Sequence, residues 1–359
     1  MTGILIVLTK VVLALVWLFS LTLVMTWVER KESAVIQDRI GANRASIFGV
    51  RAFGLFQPFA DAIKMMFKED FQPSFTRRFW HGLAPFISFF CVSVTIAAVP
   101  FGPPITIAGR VIPLQAADLE AGLPFVLAML SLGVYGILLA GWASNNRFAL
   151  LGGIRGAAQL ISYEVGLGLA LIGLVLVFPS LRMSRIVEFQ GGLLWGAVPR
   201  WGILLQPVGF IIFFIAAVAE TKRVPFDLPE GESEIIGFYT EYSGLKWGMF
   251  MMTDFLEVII VACLAATFYF GGWQVPWLEA GGFHFPWGWD WALPRAVVII
   301  LQVLSFNLKV ALLCGVQVLF RWTYPRPRYD QLMDLGWKIL VPLGFLNILV
   351  TAWLVGGST

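Results

Sequence analysis

Long apolar stretches separated by shorter charged ones set the pattern of this chain. Eight of them stand out, at about 4–28, 83–101, 123–143, 157–178, 202–219, 247–270, 294–320 and 339–355. Each reaches the roughly 17–25 residues that a helix needs to cross hydrocarbon, whereas a membrane β-barrel would show alternating stretches of about ten residues. The pattern predicts an all-α polytopic membrane protein, a single membrane domain over 1–359 with eight transmembrane helices. The first stretch is expected to be a retained helix. It carries Lys10 and runs into Val28-Glu29-Arg30-Lys31-Glu32 without the small-residue site at which a leader is cleaved.

The period changes in the first long polar insert, 29–78. From Gln57 the chain reads QPFADAIKMMFKED, with Phe56, Phe59, Ala60, Ile63 and Phe67 at helical spacing and Asp61, Lys64 and Lys68 opposite. Pro58 suits a first helical turn. An amphipathic helix lying on the bilayer surface is predicted here. On pattern alone, a plain surface anchor and a ligand-contacting helix fit equally well.

Composition agrees with the spans. The 359 residues are 58% hydrophobic and 13% charged, against about 45–50% and about 25% in soluble domains. Loops 29–78, 143–156, 220–246 and 321–338 hold eighteen Lys and Arg, and the opposite loops hold five. The positive-inside rule then puts the rich loops in the cytoplasm and both termini on the other side. A net charge of +3 gives no sign of nucleic-acid binding. Cys91, Cys263 and Cys314 lie singly in three spans and His81 and His284 are isolated, without the spacing of a zinc or iron–sulfur site. There is no nucleotide-binding glycine motif. The expectation is a chain with no redox centre and no metal site of its own, served by redox partners. No internal repeat is visible, which speaks against the inverted-repeat plan of independent transporters.

Against this background, the stretch ETKRVPFDLPEGESEIIGFYTEY at 220–242 is out of place, with five glutamates and one aspartate between two apolar spans. Acidic side chains at the mouth of a membrane domain are costly unless they handle ions or protons or dock a partner. A helix over 230–241 would place Glu230, Glu234 and Glu241 nearly in line, with Glu232 pointing elsewhere. Carboxylates that close cannot all ionise freely, and some would hold protons near neutral pH. A solvated loop beside Lys222 and Arg223 is the bland reading; alternation with Ile235, Ile236 and Phe238 disfavours it. Inside the spans lie Glu164, Asp254, Glu257 and Lys309. Each buried charge costs about 2.5–3.5 kcal/mol on insertion scales. Pairing with Lys309 would absorb one acid and hardly all three, so a polar route through the bundle is expected. Gly166, Ala170 and Gly173 give the fourth span a small-residue packing face. The basic clusters at 29–32, 39–44 and 321–330 would ring the cytoplasmic end with arginines suited to docking a soluble partner or a polar head group.

Several of these blocks, VERKESAVIQDRIGANR, FQPFADAIKMMFKED, GWASNNRFALLGGIR, ISYEVGLGL, AETKRVPFDLPEGESEIIGFYTEYSG and PRPRYDQLMDLGWK, resemble the signatures of the NADH dehydrogenase subunit 1 family. In bacteria this is the H-type membrane component of NADH-quinone oxidoreductase, or respiratory complex I, and the resemblance runs in order from about residue 25 to 340. It implies a proton-translocating enzyme subunit in the cell (inner) membrane that anchors the hydrophilic arm and forms much of a chamber for ubiquinone or menaquinone. Iron–sulfur clusters, FMN and NADH would sit in partner subunits, and small and antiporter-like membrane subunits would be neighbours. By resemblance, Glu29, Arg30, Arg39 and Asp61 lie near the chamber, with Phe53, Phe56, Phe59 and Met65 along the path of the quinone tail. The acidic relay would include Glu164, Glu220, Asp227, Glu230, Glu232, Glu234 and Asp254, with no catalytic residue in the strict sense. The chain departs from the family pattern at Ala42, where Pro is usual, and at Gly231, where Ala is frequent. Asp254 stands where Glu is usual and Glu257 where a neutral residue or His is more familiar, so Glu257 is expected to share the sixth-span role.

Two other readings compete. Related anchors serve ferredoxin or F420H2 dehydrogenases and energy-converting hydrogenases, some without quinone, and neighbouring genes would distinguish them. An independent ion-coupled transporter would be active as a free monomer.

Overall fold

The computed structural model describes residues 2–107, 109–194, 196–231 and 235–357. Twelve helices form the scaffold among them: α1 Thr2–Ile36, α2 Gln57–Phe67, α3 Arg78–Thr95, α4 Gly122–Ala143, α5 Arg147–Val177, α6 Met183–Phe189, α7 Gly202–Leu205, α8 Pro207–Glu220, α9 Gly244–Tyr269, α10 Arg295–Thr323, α11 Tyr329–Asp334 and α12 Val341–Gly356. Seven continuous helical runs are long and apolar enough to cross a bilayer, the last extending from Tyr329 to Gly356. Within that last run, Leu335–Leu340 is wound as π-helix. The chain is thus an all-α polytopic membrane protein.

The fifth apolar stretch departs from expectation. It is two helices, α7 and α8, and Gln206 between them is non-helical at φ −134°, ψ 57°. Pro207 is the cause: its ring disfavours helical backbone in the residue before it and it has no N–H to donate. The remaining 14 residues of α8 span only about 21 Å, short of a full hydrocarbon thickness. The Gln206 side chain ties the break to α12, donating to Thr351 Oγ1 at 2.7 Å and accepting from Asn347 at 2.9 Å.

α9 is the hub: 78% of its apolar span is buried, and its residues Phe255–Tyr269 fill the main core with Phe213, Ala216 and Phe306. α5 packs beside it through small residues. Gly153 faces Gly141 of α4, and a Cβ added at Gly166 would lie 3.9 Å from Ala216 of α8 and 3.8 Å from Leu340. That close approach is the small-residue packing the fourth span predicted.

The short strands gather in three small antiparallel sheets: β1 Gly102–Ile107 with β2 Arg110–Leu114, β3 Leu193–Leu194 with β4 Val198–Pro199, and β5 Leu278–Glu279, β6 Gly282–His284 and β7 Asp290–Ala292. They lie in the connections between helices. Near them Lys309 donates to the carbonyls of Phe270, Gly272 and Gln274 at 2.8, 2.9 and 2.6 Å. It therefore holds the loop that follows α9 by its carbonyls, and the static pairing with an intramembrane carboxylate that the sequence left as the lesser alternative is not what it does.

The charged connections meet at the other end of the bundle. Arg223 and Arg321 both reach Glu29, Lys246 reaches Asp70 at 2.8 Å, and the Arg77 N–H donates to Ala143 at 3.0 Å. The end of α1, all of α2, the segment 221–243 and the end of α10 are thereby brought together.

Candidate functional site

Segment 221–243 builds the site, and its described residues are not α-helical. After α8 the backbone turns at Lys222 (φ 54°), passes a cis Val224–Pro225 bond and reaches a single short 3-10 turn at Tyr239–Glu241. The expected helix over 230–241 is therefore corrected among the described residues. Gly237 and Ile236 take left-handed φ of 73° and 66°, which breaks helical propagation. Glu241 leaves the predicted line, accepting from Asn146 Nδ2 at 2.6 Å, while its carbonyl meets His81 Nε2 at 3.2 Å. Glu232 and Glu234 lie outside the described residues.

A cavity of about 700 Å³ opens beside this segment, walled by Glu29, Asp227, Glu230, Asp254, Lys222 and the guanidiniums of Arg223, Arg321 and Arg326, with Tyr239, Trp247 and Met251. A second cavity of about 350 Å³ shares Glu230, Tyr239, Trp247 and Met251 with the first and continues past Arg30, Asp61, Lys64 and Met65. Glu29 and Arg30 are neighbours on a helix and so point about 100° apart. One consequently serves each cavity. Arg30 meets Asp61 of α2 at 2.6 Å, which pins the amphipathic helix polar side inward. Its apolar side is left uncovered by this chain, with Phe59 53% and Phe67 87% exposed.

Glu29 is the electrostatic keystone of the larger cavity. Its carboxylate, 10% exposed, meets Arg223 at 2.7 Å and also bonds Arg321. Arg223 in turn stacks on Phe255, 3.8 Å from the ring centre. Arg326 bonds the Asp227 carbonyl and lies 4.0 Å from its carboxylate. Tyr239 donates to Asp254 at 3.1 Å.

Deeper in, Lys222 bridges Asp254 at 3.5 Å and Glu257. Glu220 lies within electrostatic reach of Glu257, Glu164 and Lys222, and Glu164 bonds Ser131 on α4. The acidic residues Asp227, Glu230, Asp254, Glu257, Glu220 and Glu164 thus form an interacting series from cavity to bundle interior. One oxygen each of Asp227, Glu220 and Glu257 is buried without a hydrogen-bond partner among the described residues. Buried oxygens of this kind call for water or a proton.

Outside the spans the electrostatics are legible. Burial, reinforced by Glu230, pushes the Asp227 carboxyl up to about 7 against the pull of Arg326. Burial opposes charge on Lys222, but Glu257 and Asp254 outweigh it and hold its proton above the ordinary lysine range. Burial and the nearby Asp254 keep the Tyr239 phenol protonated. The Asp227 carboxyl is thus held far above the usual carboxylate range.

Not every expected chamber residue faces a cavity. Arg39 is exposed and bonds Gln37 at 2.8 Å, and Phe53 is 82% exposed at a left-handed φ of 55°. Phe53, Phe56 and Phe59 line neither cavity. Arg321 and Arg326, read from sequence as part of a ring of arginines suited to a soluble partner or a polar head group, line the larger cavity, while Arg328 remains at the surface paired with Asp330 at 2.8 Å. Sequence reasoning gave no role to Tyr239, Trp247 or Ser131. Aromatic and hydroxyl residues are too common in membrane helices and loops for their partners to be read without coordinates.

Comparison with known proteins agrees with this arrangement. The family model described as NADH dehydrogenase matches residues 9–352. The chain is 44% identical over 349 residues to the first H-type subunit of NADH-quinone oxidoreductase from Geobacter metallireducens, covering 97% of this chain and 96% of that one. It is 46% identical to the second H-type subunit from Geobacter sulfurreducens (96% and 95% covered) and 41% identical to NADH-quinone oxidoreductase subunit 8 of Rhodothermus marinus (92% and 91% covered). An end-to-end likeness of this degree, in a bundle that holds its acidic segment against the first helix, shows that the chain belongs to the NADH dehydrogenase family of H-type NADH-quinone oxidoreductase subunits.

Proposed function

We propose that this chain is the quinone-chamber and proton-coupling subunit of a proton-translocating NADH:quinone oxidoreductase. The observation that carries the reading is the pair of cavities beside the acidic series, which share Glu230, Tyr239, Trp247 and Met251 in their walls. The larger, at about 700 Å³, falls within the roughly 300–1,000 Å³ of small-molecule sites. Its charged walls suit a polar quinone head, and Met65, Trp247, Met251 and Ile236 of the smaller cavity suit the first part of an apolar tail. The exposed apolar side of α2 would rest on the bilayer, where the tail enters.

Electrons would arrive from an iron–sulfur cluster of the hydrophilic arm, docked over the cavity mouth. FMN and the NADH site would lie further out in that arm, with small and antiporter-like subunits beside the bundle. The excess of Lys and Arg in the loops at this end favours a cytoplasmic position for the cavity mouth. As quinone takes up protons, Asp227 and Glu230 at the cavity wall respond first. The change in charge then passes by way of Asp254 and Glu257 to Glu220 and Glu164.

Glu220→Gln in the assembled enzyme tests the reading. It removes an exchangeable proton without changing shape, and coupled NADH–quinone activity is expected to fall about tenfold or more. Wild-type rates and pumping in that variant would remove the relay. Asp227→Asn tests the pH dependence. Asparagine mimics the neutral carboxyl, so the step near pH 7 should vanish from the activity profile and the variant should behave at pH 8 as the unaltered protein does at pH 6. An unchanged profile would show that Asp227 does not titrate during turnover.

A further inference from the structure

Lys222 has no part in a purely acidic relay, yet the fold goes to some length to place it. The residue follows Thr221, the C-cap of α8, and its φ of 54° is a left-handed conformation that non-glycine residues resist for steric reasons. That turn folds the side chain back into the bundle, where it is 3% exposed. There its ammonium bonds Glu257 and lies 3.5 Å from Asp254. Asp254 and Glu257 are three apart on α9 and so share one face.

Buried ion clusters are poor stabilisers. Desolvation offsets most of the attraction, and well-packed apolar residues of similar volume often do as well. Stability therefore gives little reason to keep this one. Charge counting gives a better one. One ammonium faces two carboxylates, and the next cation along the chain, Arg223, is committed to Glu29. The other groups facing the cluster are Glu220, whose charge opposes a further anion, the Tyr239 hydroxyl on Asp254 and, at longer electrostatic range, Arg223 and Arg321, both bonded to Glu29, and Asp227. With both carboxylates ionised, Lys222, Asp254 and Glu257 by themselves carry one net negative charge beside the cavity; one added proton cancels it. Glu257 Oε2, buried and without a hydrogen-bond partner among the described residues, is a ready seat for that proton.

We propose that Lys222 is a positioning residue that makes Asp254 and Glu257 a one-proton site between the quinone cavity and Glu220. The ammonium holds the two carboxylates side by side, and a proton arriving from the Tyr239 side occupies the pair until it passes toward Glu220. The lysine stays charged throughout. This assignment deepens the relay reading above and depends on it.

The test compares Lys222→Arg, Lys222→Met, Glu257→Gln and Glu220→Gln in the intact membrane enzyme, with assembly, NADH–quinone turnover and proton uptake into vesicles each measured. Lys222→Arg keeps the positive charge and has the adjoining cavity to extend into, so it should retain most turnover and coupling. Lys222→Met leaves two carboxylates without a cation, and coupled activity should fall about tenfold or more. Glu257→Gln leaves a balanced Lys222–Asp254 pair that packs well but has no place for the extra proton. It should assemble normally and lose coupling. A merely structural lysine would leave coupling intact in that variant. Wild-type coupling in Glu257→Gln or Lys222→Met, alongside an impaired Glu220→Gln, overturns the role of Lys222 and spares the relay. A fully coupled Glu220→Gln removes the relay itself. Should Lys222→Met fail to assemble, Lys222→Met/Glu257→Gln restores charge balance, and full coupling in that double variant also overturns the proposal.

Discussion

Glu29→Ala is expected to destabilise the assembled protein by about 3 kcal/mol or more and to abolish quinone-dependent turnover. The reason is that one carboxylate neutralises two guanidiniums. Arg223 and Arg321 come from the segment after α8 and from the end of α10, and both converge on Glu29 of α1. Arg223 is only 10% exposed, so it cannot recover full hydration when its partner goes. Breaking a buried pair from one side costs about 3–5 kcal/mol, because the remaining charge is left uncompensated. Arg321, at 28% exposure, regains some water and brings the expectation toward the lower end. Three elements would then separate where the cavity wall is formed. Glu29→Gln keeps the volume and one acceptor and should lose less. Thermal melting of the purified assembly, with activity after each step, decides the matter: equal midpoints for Glu29→Ala and the unaltered protein would show that the two arginines find other partners.

Gly237→Val is expected to lower turnover by about a hundredfold while leaving the helices in place. Gly237 has φ +73°, and a Cβ there would sit 2.3 Å from the Pro229 carbonyl oxygen and 3.1 Å from that of Glu230. Both neighbours are backbone, so no side chain can swing aside. A β-branched residue is also strongly disfavoured in left-handed backbone. The strand of chain from Pro229 to Gly237 would have to move by about an ångström, carrying Glu230 and Tyr239 out of the cavity wall; a misplacement of that size can cost about 10²-fold in rate. Gly152 of α5 packs against the same turn, its own Cβ position 3.1 Å from the Gly237 Cα, so retreat in that direction is closed. Gly288→Ala is the control: its φ is +88° but nothing lies within 4 Å of the added carbon, and only the backbone cost of about 1 kcal/mol should appear. Comparable losses in both variants would show that strain alone, and not the position of the acidic turn, limits activity.

The amphipathic helix at 57–67 and seven of the eight apolar stretches were readable because each depends on a local quantity: hydrophobic length or helical period. The fifth stretch was read as one span because composition hides a break that Pro207 imposes and Gln206 secures against α12. The acidic segment misled in the same way. Helical spacing of Glu230, Glu234 and Glu241 suggested a line of carboxylates, yet two left-handed residues turn the chain and send Glu241 to Asn146. The sequence left pairing of Lys309 with one buried acid as a lesser alternative; it bonds carbonyls of the loop after α9, a need that arises only once the helix has an end in space.

The order of amino acids was enough to establish the membrane class, the rough place of the apolar segments and the kinship. Those properties follow from how many methylene groups a segment can bury and from how much a charge costs in hydrocarbon. Which acid meets which base became visible only in three dimensions. Glu29 sits 194 positions from Arg223 and 292 from Arg321, and Lys222 sits 35 from Glu257. Ion pairing depends on separations of a few ångströms, and the packing of α1, α9 and α10 sets these without leaving a trace in the local pattern of any one of them.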